Sequence, residues 1–293
     1  MTTATVCVVG SMNADRYLGL ARVPQPGETM LGSNLGLYPG GKGLNQAVAA
    51  ARCGASVRFC GAVGSDIEAE FLRDALAVVE ISGEYVATAS GPSGAAYVFS
   101  LPGGENSIVV AQGANALLAA SNVASAVRGA SVVLTQLEIN PDIAATALRE
   151  ARKYSATTVL NAAPAHPATW EMLPDVDILI VNETEAASLG GLDALRPHVT
   201  VVYTRGADGV TVYERGGGVI EVPAFVIDPI DTTGAGDAFC GGFVAAVARG
   251  ASLEAAAREG AAAGAVVAEH RGAQTAALSH EAVRRLVEQR VSA

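Results

Sequence analysis

Asp231-Thr232-Thr233-Gly234-Ala235-Gly236-Asp237-Ala238-Phe239 follows a loop that ends at Pro229 and runs into an apolar, small-residue segment, Phe239 to Val247. That segment reads as a helix. A glycine-containing turn that opens a helix leaves backbone N–H groups unpaired at the positive end of the dipole, which makes an anion site. Asp237 beside it places an acid within a few atoms of a bound anion. Such a pairing suits phosphoryl transfer, where the protein mainly positions groups and stabilises charge. The plainer reading is an ordinary glycine-rich helix start, with Asp231 in the turn and Asp237 favoured by the dipole. The rest of the chain has to decide between them.

Working back to the N-terminus, short apolar runs alternate with helical stretches, and polar residues fall just after the runs. Val6 to Val9 ends in Gly10-Ser11-Met12-Asn13-Ala14-Asp15. Pro39-Gly40-Gly41-Lys42-Gly43-Leu44-Asn45-Gln46-Ala47 opens a helix that reaches about Cys53. Val57 to Val63 reads as a strand, Asp66 to Val79 as an amphipathic helix and Asn115 to Arg128 as another. Ser131 to Leu137 reads as a strand with Glu138 at its end. Thr157 to Leu160, Ile178 to Val181 and Val199 to Tyr203 also read as strands, the last two ending in Asn182-Glu183-Thr184-Glu185 and Thr204-Arg205-Gly206-Ala207-Asp208-Gly209. A hairpin spans 210–222, and helices cover 252–268 and the stretch from His280. Alternation of this kind predicts an α/β fold with a doubly wound, mostly parallel sheet flanked by helices. The 22–38 and 85–110 stretches break the pattern with short β-like runs, including a hairpin loop at 102–106. They predict a small separate β-sheet acting as a lid, within one domain of 293 residues.

Composition narrows the class. The chain is 50% hydrophobic and 16% charged, with a net charge of −10, which suits a large buried core. No basic patch appears, so nucleic acid is not expected as a partner. No apolar run approaches the roughly 18 residues of a membrane span, and the N-terminus has no signal-peptide pattern. The four scattered cysteines read as buried thiols of a reducing cytoplasm rather than a disulfide or zinc framework.

In such a sheet, ligands bind beyond the carboxyl ends of the strands. Asn13, Asp15, Gly40, Gly41, Lys42 and Asn45 there could grip the hydroxyls of a polyol, and Glu138 is a further acceptor or else a solvated loop acid. Asn182 and Glu185, three residues apart, could order water around a phosphate-bound Mg²⁺. Equally, they could be a helix cap and a first-turn acid. Thr204, Gly206 and Gly209 form a nucleotide-contacting turn or merely a tight loop.

These motifs, in this order and spacing, resemble those of the ribokinase-like (PfkB) carbohydrate kinases. Pro26-Gly27-Glu28-Thr29, Gln136-Leu137-Glu138 and Gly272-Ala273-Gln274 are similar too, and the likeness covers essentially the whole chain. The resemblance implies an ATP-dependent kinase of a primary sugar hydroxyl, with D-ribose the first acceptor expected. Fructose, another pentose or a nucleoside such as pseudouridine are alternatives, and a catalytically silent binding protein on the same fold is another. By resemblance, Asp237 is the general base and Gly234, Ala235 and Gly236 form the anion hole. The residues named above hold the sugar. Asn182 and Glu185 serve the Mg²⁺–phosphate region, and Thr204, Arg205, Gly206, Gly209 and Gly236 meet the nucleotide. A monovalent cation, K⁺, falls to Asp231 and Thr233 with carbonyls near Val267, His270, Gly272 and Ala276. The lid strands are expected to join a homodimer. Three departures stand out: a short 186–199 stretch, Ala276 where serine is usual, and Ala261 where a larger polar residue commonly lines the base pocket.

Overall fold

The structure is a computed structural model that describes residues 4–103 and 106–291. Strand β1 (Thr5–Val9) leads to β2 (Asn13–Gly19), β3 (Ser33–Gly40), helix α1 (Lys42–Arg52), β4 (Ser56–Val63) and α2 (Ile67–Ala77). Then come β5 (Val86–Thr88), β6 (Gly94–Ser100), β7 (Asn106–Ala111), α3 (Ala120–Val127), β8 (Val132–Thr135) and α4 (Pro141–Arg152). They are followed by β9 (Thr157–Asn161), α5 (Thr169–Met172), β10 (Ile178–Asn182), α6 (Glu183–Ser188), α7 (Leu192–Leu195) and β11 (Thr200–Thr204). The chain continues through β12 (Val210–Tyr213), β13 (Val219–Val222), α8 (Ala235–Ala248), α9 (Leu253–Ala268) and α10 (His280–Val291).

Nine strands form the main sheet in the order β13-β12-β11-β10-β9-β8-β1-β4-β5. The pairs from β11 through β8, β1 and β4 to β5 are parallel, and β12 and β13 add an antiparallel edge. The sheet is apolar on both sides because helices cover both. In β1, Val6 and Val8 pack with α1 and α8, whereas Cys7 and Val9 pack with α3 and α4. The chain grows from β1 first toward β4 and later toward β8. The crevice beyond the carboxyl ends of β1 and β8 is therefore the topological switch point, where open α/β sheets bind ligands.

The second sheet has the order β3-β2-β6-β7, with β2 and β6 parallel. Three expectations change here. The polar stretch from Asn13, read only as residues following the first strand, is itself the strand β2, because β3 and β6 satisfy its backbone on both sides. Tyr85-Val86-Ala87, expected in the small sheet, instead extends the main one: Val86 pairs with Gly61 on β4 and is buried. A short apolar run identifies a strand but not its sheet. The expected 115–128 helix is split into a 3₁₀ turn at Gly113–Leu117 and α3. Asn115 in that turn is tied to Met12 and Asn13 instead of continuing a helix. Gly104 and Glu105 of the expected hairpin loop lie outside the described residues.

Small residues let the helices sit close. A Cβ on Gly241 of α8 would lie 2.5 Å from the Ala49 Cβ of α1. One on Gly242 would lie 2.8 Å from the Ala263 Cβ of α9. This close approach fixes the start of α8 against α1, and that junction carries the site.

Candidate functional site

Helix starts are normally closed by side chains, and α2, α4 and α9 begin on Asp66, Asn140 and Ser252, each accepting a backbone N–H. α1 and α8 begin instead on Gly41 (φ 88°) and Gly234 (φ 78°), without a side-chain cap. The two are not equivalent. In α1, the Lys42 N–H donates to Glu138 Oε2 at 3.0 Å, the Gly43 N–H to Ser11 Oγ at 3.3 Å and the Leu44 N–H to the Ser11 carbonyl at 2.9 Å. That helix end is already satisfied. In α8, the N–H groups of Gly234, Gly236 and Asp237 make no hydrogen bond among the described residues. The N–H of Ala235, expected in the same set, is taken by the Thr232 carbonyl at 3.1 Å. A Cβ on Gly236 would meet nothing within 4 Å, so this turn faces open space. Free donors, a helix dipole and an open approach suit an anion such as a phosphate.

Asp237 sits in that turn and is 8% exposed. Its Oδ2 accepts from Asn45 Nδ2 at 3.0 Å and its Oδ1 from Gln46 Nε2 at 2.9 Å. Lys42 lies near it. The field of Asp237 first of all, then Glu138 and Glu185, holds the Lys42 ammonium above its ordinary pKa against the opposing effect of burial. Asn13 is buried, and its Oδ1 accepts from Asn115 Nδ2 at 2.7 Å. Asp15 faces the same space with a buried Oδ1 that has no partner. Burial, with Glu138 and Asp237 adding negative field, raises the Asp15 pKa to about 7. Gly40 abuts Asp15 so closely that a Cβ there would lie 2.0 Å from Asp15 Oδ2. The seven residues expected to grip hydroxyls thus cluster around Asp237. Of these, Glu138 is already engaged through one oxygen, since its Oε2 accepts from Ser11 Oγ at 2.7 Å as well as from the Lys42 N–H.

On the far side of the α8 turn lies a cleft of about 480 Å³. Thr204, Gly206 and Gly209 line it after β11, Phe225 to Ile227 form a strap, and Ala261, Gly264 and Ala265 of α9 form the opposite wall. Its walls are mostly apolar, as suits the faces of a planar base. Arg205 does not line it; its guanidinium bonds Glu221 Oε2 at 3.0 Å on β13. Asn182 does not line it either. Asn182 and Glu185 form a reciprocal capping box: the Glu185 N–H donates to Asn182 Oδ1 at 2.8 Å and the Asn182 N–H to Glu185 Oε2 at 2.9 Å. The helix-cap alternative is therefore realised. Glu185 lies within the fields of Lys42 and Asp237: burial raises its pKa, with Asp237 adding to the rise, while the Asn182 N–H and Lys42 act in the opposite sense.

Asp231 bridges two loops. Its Oδ1 accepts from the Thr233 N–H at 2.9 Å and its Oδ2 from the Gly272 N–H at 3.0 Å. Burial alone would raise its pKa, but these bonds and Arg271 together hold it below the usual carboxylate value. The Val267 carbonyl accepts from the His270 N–H at 3.0 Å, while Ala276 is exposed and supplies no side-chain oxygen. Among the described residues, no group of three or more His, Cys, Asp or Glu side chains is arranged to hold a metal ion. No described helix is long and apolar enough to cross a membrane.

Sequence reasoning quoted Ser11, Gln46 and Gln136 within motifs and gave no role to them or to Asn115 and Asn161, all of them buried polar residues. It placed Gln274 in a motif without a role, although Gln274 Nε2 donates to Asn45 Oδ1 at 2.9 Å and to the Pro39 carbonyl at 3.1 Å. A glutamine inside an otherwise apolar helix start was the available signal for Gln46.

A buried carboxylate beside an open helix start, with polar side chains on one side and an apolar cleft on the other, is an outline that suits a kinase of small hydroxylated molecules. The model of the pfkB family carbohydrate kinases matches residues 3–280, so the chain belongs to that family, as its motifs implied. Its relatives are more particular. It is 37% identical to the ribokinase of Haemophilus influenzae, over 92% of this chain and 94% of that protein. It is 35% identical to that of Bacillus subtilis, over 86% and 89%. Among solved structures, Arabidopsis thaliana ribokinase complexed with ribose and ATP superposes with a TM-score of 0.89 at 29% identity, over 98% of this chain and 99% of that one. The expected doubly wound fold with a smaller sheet is borne out.

Proposed function

We propose that this protein transfers the γ-phosphoryl group of ATP to the primary hydroxyl of D-ribose, giving D-ribose 5-phosphate and ADP. The observation that carries this is the open turn at Gly234–Asp237, with the hydroxyl-binding residues on one side and the apolar cleft on the other. Asn13, Asp15, Gly40, Gly41, Lys42, Asn45 and the free oxygen of Glu138 hold the sugar. Asp237 takes the proton of the attacking hydroxyl as its oxygen bonds to phosphorus and the bond to the departing ADP breaks. The N–H groups of Gly234, Gly236 and Asp237, with the Lys42 ammonium, meet the charge on the transferring group. Thr204, Gly206, Gly209 and the 225–227 strap hold the nucleotide.

Mg²⁺ would supply charge neutralisation at the phosphates, and Glu185 would be the carboxylate that holds its water shell. K⁺ would be held by the loops that Asp231 ties together, as an activator bracing the α8 turn. The β3-β2-β6-β7 sheet is the lid of a single kinase domain. It excludes water when closed and presents Ile108, Val109 and Val110 to a second copy in a homodimer. Four buried free thiols suit the reducing cytoplasm.

The test is a panel of acceptors with MgATP, with and without K⁺. Ribose is expected to give the highest kcat/KM. A nucleoside or fructose preferred over ribose would overturn the acceptor, and no phosphorylation of any acceptor would overturn the kinase reading.

A further inference from the structure

Behind Asp237, away from the cleft, runs a chain of buried amides that no step above uses. Gln46 is wholly buried in the first turns of α1. Its Nε2 donates both hydrogens, one to Asp237 Oδ1 at 2.9 Å and one to Asn161 Oδ1 at 3.0 Å. Its Oε1 accepts from Gln136 Nε2 at 2.6 Å. Gln136 is wholly buried too, and its own Oε1 has no partner.

The direction of this chain is dictated by the carboxylate at its end. Turned over, the Gln46 amide would set its oxygen against two acceptors, Asp237 Oδ1 and Asn161 Oδ1. With Nε2 facing Asp237, Oε1 must face Gln136, which then has to donate. The orphaned Gln136 Oε1 is the cost of that arrangement. It lies where a Cβ on Gly10 would approach to 2.1 Å, so glycine at that position makes room for it. A buried acceptor left unpaired in a native protein calls for an explanation, and satisfying a functional carboxylate is one.

We propose that Gln46 is the positioning residue for Asp237, and that Gln136 and Asn161 orient Gln46. Asn45 holds the other carboxylate oxygen but faces the sugar pocket, where hydroxyls compete for its amide. Gln46 is shielded from the pocket, so its bond persists through turnover and fixes the Asp237 side chain as substrate arrives. Each Asp237 oxygen keeps a lone pair for the hydroxyl proton. This inference rests on the assignment of Asp237 as the base. Misplacing a catalytic group by about 1 Å costs on the order of 10²-fold in rate.

The experiment compares wild type with Gln46→Met, which keeps length and loses both donors, and Gln46→Glu, which sets a carboxylate against Asp237. Steady-state kinetics are read across pH 5.5–8.5 on whichever acceptor the wild type uses, with sugar binding followed by calorimetry. Gln46→Met is expected to lose about 10–100-fold in kcat, with KM and sugar affinity within about twofold of wild type. Gln46→Glu is expected to lose more at high pH and to recover toward low pH, because only the protonated carboxyl can donate to Asp237. A general packing role would produce no such recovery. Wild-type kcat in Gln46→Met overturns the proposal, as does loss of sugar binding in parallel with turnover, or a flat pH response in Gln46→Glu. Full turnover by Asp237→Asn would instead remove the base assignment beneath it.

Discussion

Gly236→Ala separates what the α8 turn does for the fold from what it does for the anion. In the fold the change is benign. A Cβ at this position meets nothing within 4 Å, and the residue lies in the first turn of a helix, where alanine is preferred over glycine by up to about 1 kcal/mol. For a protein of this size, that predicts a thermal midpoint unchanged or raised by about 2–4 °C. For the reaction the change is harmful, because the methyl occupies the space a phosphate needs in order to reach the free N–H groups. Losing one such donor costs about 10²–10³-fold in kcat, and a blocked approach should cost at least tenfold on the same scale. Gly234→Ala is the opposite case. Its φ of 78° and the Ala273 Cβ 2.3 Å from the new methyl leave no strain-free position. The left-handed backbone alone costs about 1–2 kcal/mol, so this variant should melt several degrees lower. Thermal unfolding and kcat/KM for MgATP, measured on the two variants side by side, check both. Gly236→Ala with wild-type kcat/KM would refute the anion turn, whatever its stability.

Other outcomes follow from the same geometry. Asp15 has its pKa raised to about 7 by burial and by Glu138 and Asp237. Its contribution to stability is therefore complete below the unfolded value of 3.8 and is lost as pH rises through about 7. Because hydroxyls donate to the charged form, sugar affinity should rise about three- to tenfold between pH 6 and 8. Calorimetry on Asp15→Asn should give a flat profile, and a wild-type affinity that falls with pH would contradict the assignment. Asp231→Ala strands the Thr233 and Gly272 N–H groups, costing about 1–3 kcal/mol by denaturant titration. It should also abolish any K⁺ stimulation at constant ionic strength, and retained stimulation would move the cation elsewhere. Ile108→Glu with Val110→Glu charges two side chains that are 59% and 43% exposed on β7. Sedimentation should then show a monomer, while an unaltered dimer would place the interface on another face.

Much of the main sheet was legible because its strands are short apolar runs closed by glycine or polar residues, and a doubly buried strand can hardly look otherwise. That Asn13, Lys42, Glu138 and Asp237 gather in one region was legible for the related reason that polar residues just past strand ends share one edge of such a sheet. Pairing partners were less visible. β2 carries Asn13, Asp15 and Arg16 and does not read as a strand, since only β3 and β6 together make it one. Val86 reads as strand, but nothing local says that β4 receives it. Asn182 and Glu185 carried the two meanings of a helix start, and the reciprocal cap is the one seen, with Glu185 still within the field of Lys42. Gln46, Gln136 and Asn161 were silent because a buried amide is informative only once its partners, 90 to 191 residues away, are in view. The 225–227 strap of the apolar cleft carries no motif at all.

The most direct test follows ribose 5-phosphate formation by phosphorus NMR in MgATP, ribose and K⁺, with wild type and Asp237→Asn in parallel. Asparagine keeps the size of the side chain but offers an NH₂ to Asn45 or Gln46 in place of an acceptor, and it cannot take a proton. The expected result is signal growth at the 5-position for wild type and a rate about 10²–10⁴-fold lower for the variant. Equal rates in the two proteins, or a wild type that leaves ribose unphosphorylated, would contradict it.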